Sequence, residues 1–221
     1  MAGREIQSQA VAITVVGSFN PHIVQPLWLS KHGLVAEAEA LESEPQLISR
    51  DLAHIGLPWA TLTVVADRLQ VETSNDIVVP AQIRDLVVGI LSLLPHTPVS
   101  VVSVQHRAHI RLASESQWHA AGDLLAPKEL WRDILDKPGM FDIAIQGVRP
   151  DERAGAIKVR VRPSQVVHPG IFVNVNEEFL IADDDNLELA GQAAGLLTDA
   201  WPDIEVRVAS IRGSLLDRII G

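Results

Sequence analysis

Lys158, Arg160 and Arg162 occupy every second position of AIKVRVR. Alternate side chains of a strand share a face, so this spacing lines up three cations. The stretch VQHRAHIR places Arg107, His109 and Arg111 at the same spacing, and Arg207 holds the matching parity in IEVRVASI. If these strands belong to one sheet, they build a basic surface on an acidic protein. Such a surface would suit an anion: a nucleotide, an oligonucleotide or an acidic partner. The simpler reading is cross-strand pairing with Glu72, Glu178 and Glu205, which hold solvent parity in their own strands. A stacking platform for single-stranded nucleic acid is poorly supported, because Tyr is absent and Phe numbers only 4.

Other chemistry is less well supplied. His106 and His109 are three apart on one expected strand, so they point to opposite faces and cannot share an ion without a bulge. No HExxH spacing occurs, and no metal site is expected. His106 sits at an apolar parity and reads as a hydrogen-bonded core histidine. Asp183, Asp184 and Asp185 form a carboxylate run, but before a helix they are expected to cap it and complement its dipole. Ser18 and His22 lack a GxSxG elbow around any nucleophile. Neither GxxxxGK[ST] nor GxGxxG is present, which removes the usual nucleotide loops and any cofactor they would hold. No catalytic residue is assigned. Trp118 and Trp131 lie in a connector, where an amphipathic ring packs into the core or anchors a partner.

The elements that would position these groups follow a pattern. Ala10–Gly17, Trp59–Ala66 and Leu69–Thr73 read as strands, the last two joined at Ala66-Asp67-Arg68. Ser18–Pro26 reads as a turn, Leu27–His32 as one helical turn, and Glu37–Glu44 as a marginal helix or loop. Asn75 and Asp76 break the chain. Pro80 opens a helix whose stripe is Ile83, Leu86, Val87, Ile90, Leu91 and Leu94. Val99–Leu112 alternates, with even positions apolar and odd positions polar. Pro127–Leu135 reads as a short helix. Phe141–Gly147, Ala156–Arg162 and Ile171–Leu180 are strands. A helix follows to about Trp201, on the stripe Leu187, Ala190, Ala194, Leu197 and Trp201. A strand over Ile204–Ile211 and a short helix over Ser214–Ile220 complete the reading.

Ile83–Leu112 and Leu189–Arg212 show the same order of anchors. Gly89 matches Gly195, Pro95 matches Pro202, and Val102 and Val104 match Val206 and Val208. The expected fold is therefore α+β: two related β-β-β-α-β units forming mainly antiparallel sheet, with helices on one face. The first unit spans residues 1–112 with an insertion at about 22–57. Residues 113–139 are the connector, and 140–221 the second unit.

Composition narrows the function classes. With 221 residues and a 47% hydrophobic share, the chain can bury a core. A net charge of −10 disfavours broad attraction to nucleic acid or anionic lipid. The absence of cysteine excludes disulfides and fits a reducing compartment. No window reaches the roughly 18 apolar residues of a membrane span, and the N-terminus lacks a signal-peptide layout. The expectation is a cytoplasmic, bacterial, non-enzymatic interaction or scaffold subunit with protein partners, possible self-association and no membrane. The alternative is a module that binds an anionic ligand on the basic face.

Overall fold

The computed structural model describes residues 5–74, 79–182 and 188–220. Its strands are β1 (Glu5–Gly17), β2 (Glu44–Ile48), β3 (Leu52–Gly56), β4 (Ala60–Val65), β5 (Arg68–Thr73), β6 (Val99–Arg111), β7 (Ile143–Val148), β8 (Gly155–Pro163) and β9 (Gly170–Leu180). Its helices are α1 (Pro26–Lys31), α2 (Glu37–Glu42), α3 (Pro80–Leu93), α4 (Glu115–Leu125) and α5 (Leu189–Ile220). Among the described residues, nine strands form one sheet in the order β2-β3-β4-β5-β1-β6-β9-β8-β7. Every neighbouring pair is antiparallel. The fold is α+β, and β6 against β9 joins the two halves, in register from Val101↔Leu180 to Arg111↔Gly170.

Period-two alternation decides which side chains go inside. Val102, Val104 and Ile110 of β6 are buried, and so are their register partners Phe179 and Ile171 on β9 and Val15 and Ile13 on β1. Leu69 and Val71 of β5 and Leu62 and Val64 of β4 continue that face. Helix α3 covers β1 and β5 with Ile83, Leu86, Val87, Ile90 and Leu91. Each such aliphatic side chain, fully buried, contributes about 1.5–3 kcal/mol of transfer free energy. Gly89 of α3 lets Leu34 approach, since a Cβ there would collide with the Leu34 side chain.

Helix α5 corrects the sequence reading. The expected strand over Ile204–Ile211 and the closing helix over Ser214–Ile220 both belong to this one 32-residue helix, which runs through Pro202. The reason is the burial pattern. Ala190, Ala193, Ala194, Leu197, Ala200, Trp201, Ile204 and Val208 are buried at helical spacing, whereas Val206, which a strand would bury, is 72% exposed. The helix packs on α3, β6 and β9, and its first N–H groups bond the Pro95 carbonyl at 3.2 and 3.4 Å. A long stripe on a ready-made apolar surface outweighs the proline's missing hydrogen bond.

The second unit is therefore β-β-β-α and lacks its final strand. The strand orders differ as well. β1 lies between β5 and β6, while β7, β8 and β9 form a simple meander. Two further departures lie in the irregular regions. The insertion holds α1, α2, β2 and β3, and β2 and β3 extend the sheet beyond β4. The connector holds α4, while the expected helix over 127–135 shrinks to a single 3-10 turn at Glu129–Trp131. The expected breaks at Asn75 and Asp76, the capping run Asp183–Asp185, and Leu187 lie outside the described residues.

Candidate functional site

Register places the expected cations on a common face. Arg107 opposes Asn174, His109 opposes Phe172, and Arg111 opposes Gly170. From the other side, Lys158 opposes Asn176, Arg160 opposes Asn174, and Arg162 opposes Phe172. Residues directly opposite in a ladder share a face. β6 and β8 thus form two basic rails flanking β9, about 10 Å apart at two strand spacings.

Carboxylates neutralise half of this array. Arg107 meets Glu72, Lys158 meets Glu178 at 2.6 Å, and Arg160 grips Asp142 through both carboxylate oxygens. The Arg160 hydrogen bonds hold the Asp142 carboxyl below the usual carboxylate range, and Asp142 in turn raises Arg160. Among the described residues, Arg111 reaches only Gln7, at 3.4 Å. Arg162 lies over the Phe172 ring, 4.6 Å from its centroid, and has no ion-pair partner among the described residues. Among the described residues, its buried Nε has no hydrogen-bond partner, and neither does the buried Oδ1 of Asn174.

His109 is a fixed, neutral member of the array. Its Nδ1 lies 2.8 Å from Ser164 Oγ, and that oxygen accepts from the backbone N–H groups of Val166 and Val167, both at 3.1 Å. The hydroxyl proton is then left for Nδ1, which assigns the ring N–H to Nε2. Burial lowers the imidazole's proton affinity, and Arg162 and Arg107 lower it further. This serine is engaged as a turn lock. A nucleophile would need its oxygen free to attack.

Arg207 does not belong to this face. It extends from α5 to β9, where its Nε donates to Glu177 Oε1 at 2.9 Å and its Nη2 to Asp151 Oδ2 at 3.1 Å. Arg149 donates to Asp151 and Glu177 and lies 3.8 Å over the Phe179 ring. Burial opposes charge on Arg207, but Glu177 and Asp151 outweigh it and raise its pKa. Burial likewise opposes charge on Asp151, and Arg149 and Arg207 overcome it and lower that pKa. Two arginines and two acids thus tie the β7–β8 turn to β9 and α5. Sequence reasoning missed Glu177, Arg149 and Asp151. Glu177 was detectable, since it occupies the apolar parity of IFVNVNEEFL.

Glu205, expected opposite the strand cations, also sits on α5. Its Oε1 lies 3.3 Å from Nε2 of His106, which is buried on the apolar parity as expected. The His106 hydrogen bond lowers the Glu205 pKa against the effect of burial.

The connector carries the most conspicuous surface. Trp118 on α4 donates its indole N–H to the Gly170 carbonyl at 3.0 Å and meets His168 edge-on. Trp131 is partly exposed on its 3-10 turn. Around it, Leu124, Leu130, Ile134 and Leu135 are exposed, and Phe141 is 88% exposed. On β7, Ile145 is exposed and Val148 is 92% exposed. β7 pairs with β8 alone and is one edge of the sheet. Apart from Trp118 and Trp131, these residues were not singled out from sequence, because apolar side chains look the same there whether they pack or protrude.

Among the described residues, no group of three or more His, Cys, Asp or Glu is placed to hold a metal ion. Among the same residues, no helix is long and apolar enough to cross a membrane. No protein-family model matches the chain, and no curated protein is significantly similar to it.

Proposed function

We propose that the chain is a non-enzymatic assembly subunit whose contact surface is the β7 edge and the apolar belt around it, and that a second copy of the chain occupies that edge. The observation that carries this reading is an unprotected edge strand bordered by exposed aliphatic and aromatic side chains. Edge strands of solitary proteins are blunted by Lys, Pro, charge or a bulge. IAIQGV has none of these, and its register with β8 is unbroken from Ile143 to Val148. An exposed apolar patch of this kind marks an interaction surface.

A second copy fits because an antiparallel strand is complementary to itself across a two-fold axis. Ile143 and Ile145 would meet their counterparts, and the ladder would continue from one sheet into the next. The chain's net charge of −10 repels a second copy at a distance, while the contacting strand itself bears no charge. Light scattering of the purified protein, with and without Ile145→Lys, tests the reading.

A second reading rests on Arg162 and Arg111, the two rail arginines without a carboxylate partner among the described residues. They support binding of a small anion beside His109. Arg162→Ala should then weaken binding of inorganic pyrophosphate in titration calorimetry, whereas Arg160→Ala, whose guanidinium is already held by Asp142, should leave it nearly unchanged. Equal effects would remove this reading. Nucleic acid is the less favoured anion, given the chain's overall charge and its few aromatics.

A further inference from the structure

Helix α4 does not seal against the end of the sheet. Between it and the 137–140 segment lies a cavity of about 250 Å³, walled by Trp118, Met140, Pro163 and Ile171, with His119, Lys128 and Lys137 also on its lining. We propose that this cavity binds a small organic monocarboxylate with an aromatic or branched aliphatic body, held by the Lys137 ammonium.

Each part of that assignment has its own observation. The walls are an indole, a thioether, a pyrrolidine ring and a branched alkyl group, which suit an apolar body. Lys128 is committed to Asp123 at 2.5 Å, whereas Lys137 forms no ion pair among the described residues. One uncommitted ammonium matches one carboxylate. With Lys128 held by Asp123, Lys137 and the His119 imidazole are fewer donors than the three oxygens of a phosphate call for. The uncommitted Lys137 on the wall also disfavours a cationic ligand, despite the aromatic face of Trp118.

The backbone gives an independent sign. Lys137 has φ of 48°, and it precedes Pro138. A lysine in the left-handed region costs on the order of 1 kcal/mol, and such strain gathers at ligand sites. Here it falls on an exposed residue of the cavity lining. The cavity is smaller than the roughly 300–1,000 Å³ of drug-sized sites, so the ligand is small. Gly122 of α4 forms part of the lining, and a Cβ built there would meet only Met140 Cβ, at 3.9 Å. The site can therefore be filled without disturbing the helix backbone.

The test uses 3-phenylpropionate and its uncharged amide on the Ile145→Lys protein, so that its outcome does not depend on self-association. The readout is the Trp118 indole N–H resonance, assigned with Trp118→Phe. Binding of the carboxylate should shift that resonance. The amide should bind about tenfold more weakly, as should the carboxylate to Lys137→Met, for loss of one charge-assisted contact. Gly122→Leu should abolish binding while the Trp59 and Trp201 resonances stay in place. If Gly122→Leu does not fold, Lys137→Met, on an exposed segment, still decides the matter. An unmoved Trp118 resonance at millimolar carboxylate would overturn the proposal, and so would equal affinity for acid and amide or for Lys137→Met and the parent.

Discussion

Arg207 Nε lies 2.9 Å from Oε1 of Glu177, a carboxylate with no exposed surface. One residue comes from the long helix α5 and the other from the central region of the sheet. Arg207 and Arg149 both donate to the buried Glu177 carboxylate, and Arg207 is placed there only because residues 204–211 are helical. In a strand it would have joined the basic rails.

Removing Arg207 leaves Glu177 buried with Arg149 as its remaining cation among the described residues. Arg207→Ala should lower the stability by about 1.5–3 kcal/mol, the cost of a lost charge-assisted hydrogen bond, less than the ~3–5 kcal/mol of a buried charge left with no partner. Changing both Arg207 and Glu177 to apolar residues should recover part of that loss. Urea denaturation of the two single variants and the double variant measures the coupling. Additive losses would show that the two groups do not sense each other.

Pro202 provides a check on the helix itself. Within α5 it removes one backbone hydrogen bond and crowds the preceding turn. Pro202→Ala should therefore stabilise the protein, by up to about 3 kcal/mol, with unchanged or slightly greater helical circular dichroism. A loss of helical signal would contradict a continuous α5.

His109 makes stability depend on pH. Its native pKa is lowered from 6.5 by burial, then by Arg162 and Arg107. The unfolded chain therefore binds the proton more readily, and its contribution to stability is complete above the ordinary histidine value. That contribution falls away as pH drops from about 6.5 to the lower native value. His109→Gln should flatten this part of the stability curve. Denaturation midpoints recorded above and below pH 6.5 give the comparison, and an unchanged slope in the variant would assign the pH dependence to other groups.

Much of this architecture can be read from the chain, and the failures have physical causes. Alternation in Val99–Leu112 places β6 and separates His106 from His109 correctly, because a strand with one apolar face has little freedom of register. The rails of Arg107, His109, Arg111, Lys158, Arg160 and Arg162 follow from the same rule. So does the pairing of Glu72 and Glu178 with two of them. IEVRVASI could not be read this way. Val206 and Val208 suit a strand, Ile204 and Val208 suit a helix, and the surface presented by β6 and β9 decided between them. Pro202 reinforced the wrong choice. The sequence reading passed over helix α4, although Ser114 and Gln117 mark its start: their side chains bond the backbone N–H groups of Gln117 and Ala113. The exposed apolar surface around Phe141 and Ile145 had no such local marker, since exposure is a property of the packed molecule.

The most direct measurement is the mass of the protein in solution by size exclusion with light scattering, across a range of concentration and salt. Self-association through β7 should give a dimer that strengthens with added salt, as screening relieves repulsion between two chains of charge −10. Ile145→Lys should convert it to a folded monomer. A wild-type protein that stays monomeric at every concentration, or a dimer that Ile145→Lys leaves intact, would contradict the assignment of this edge.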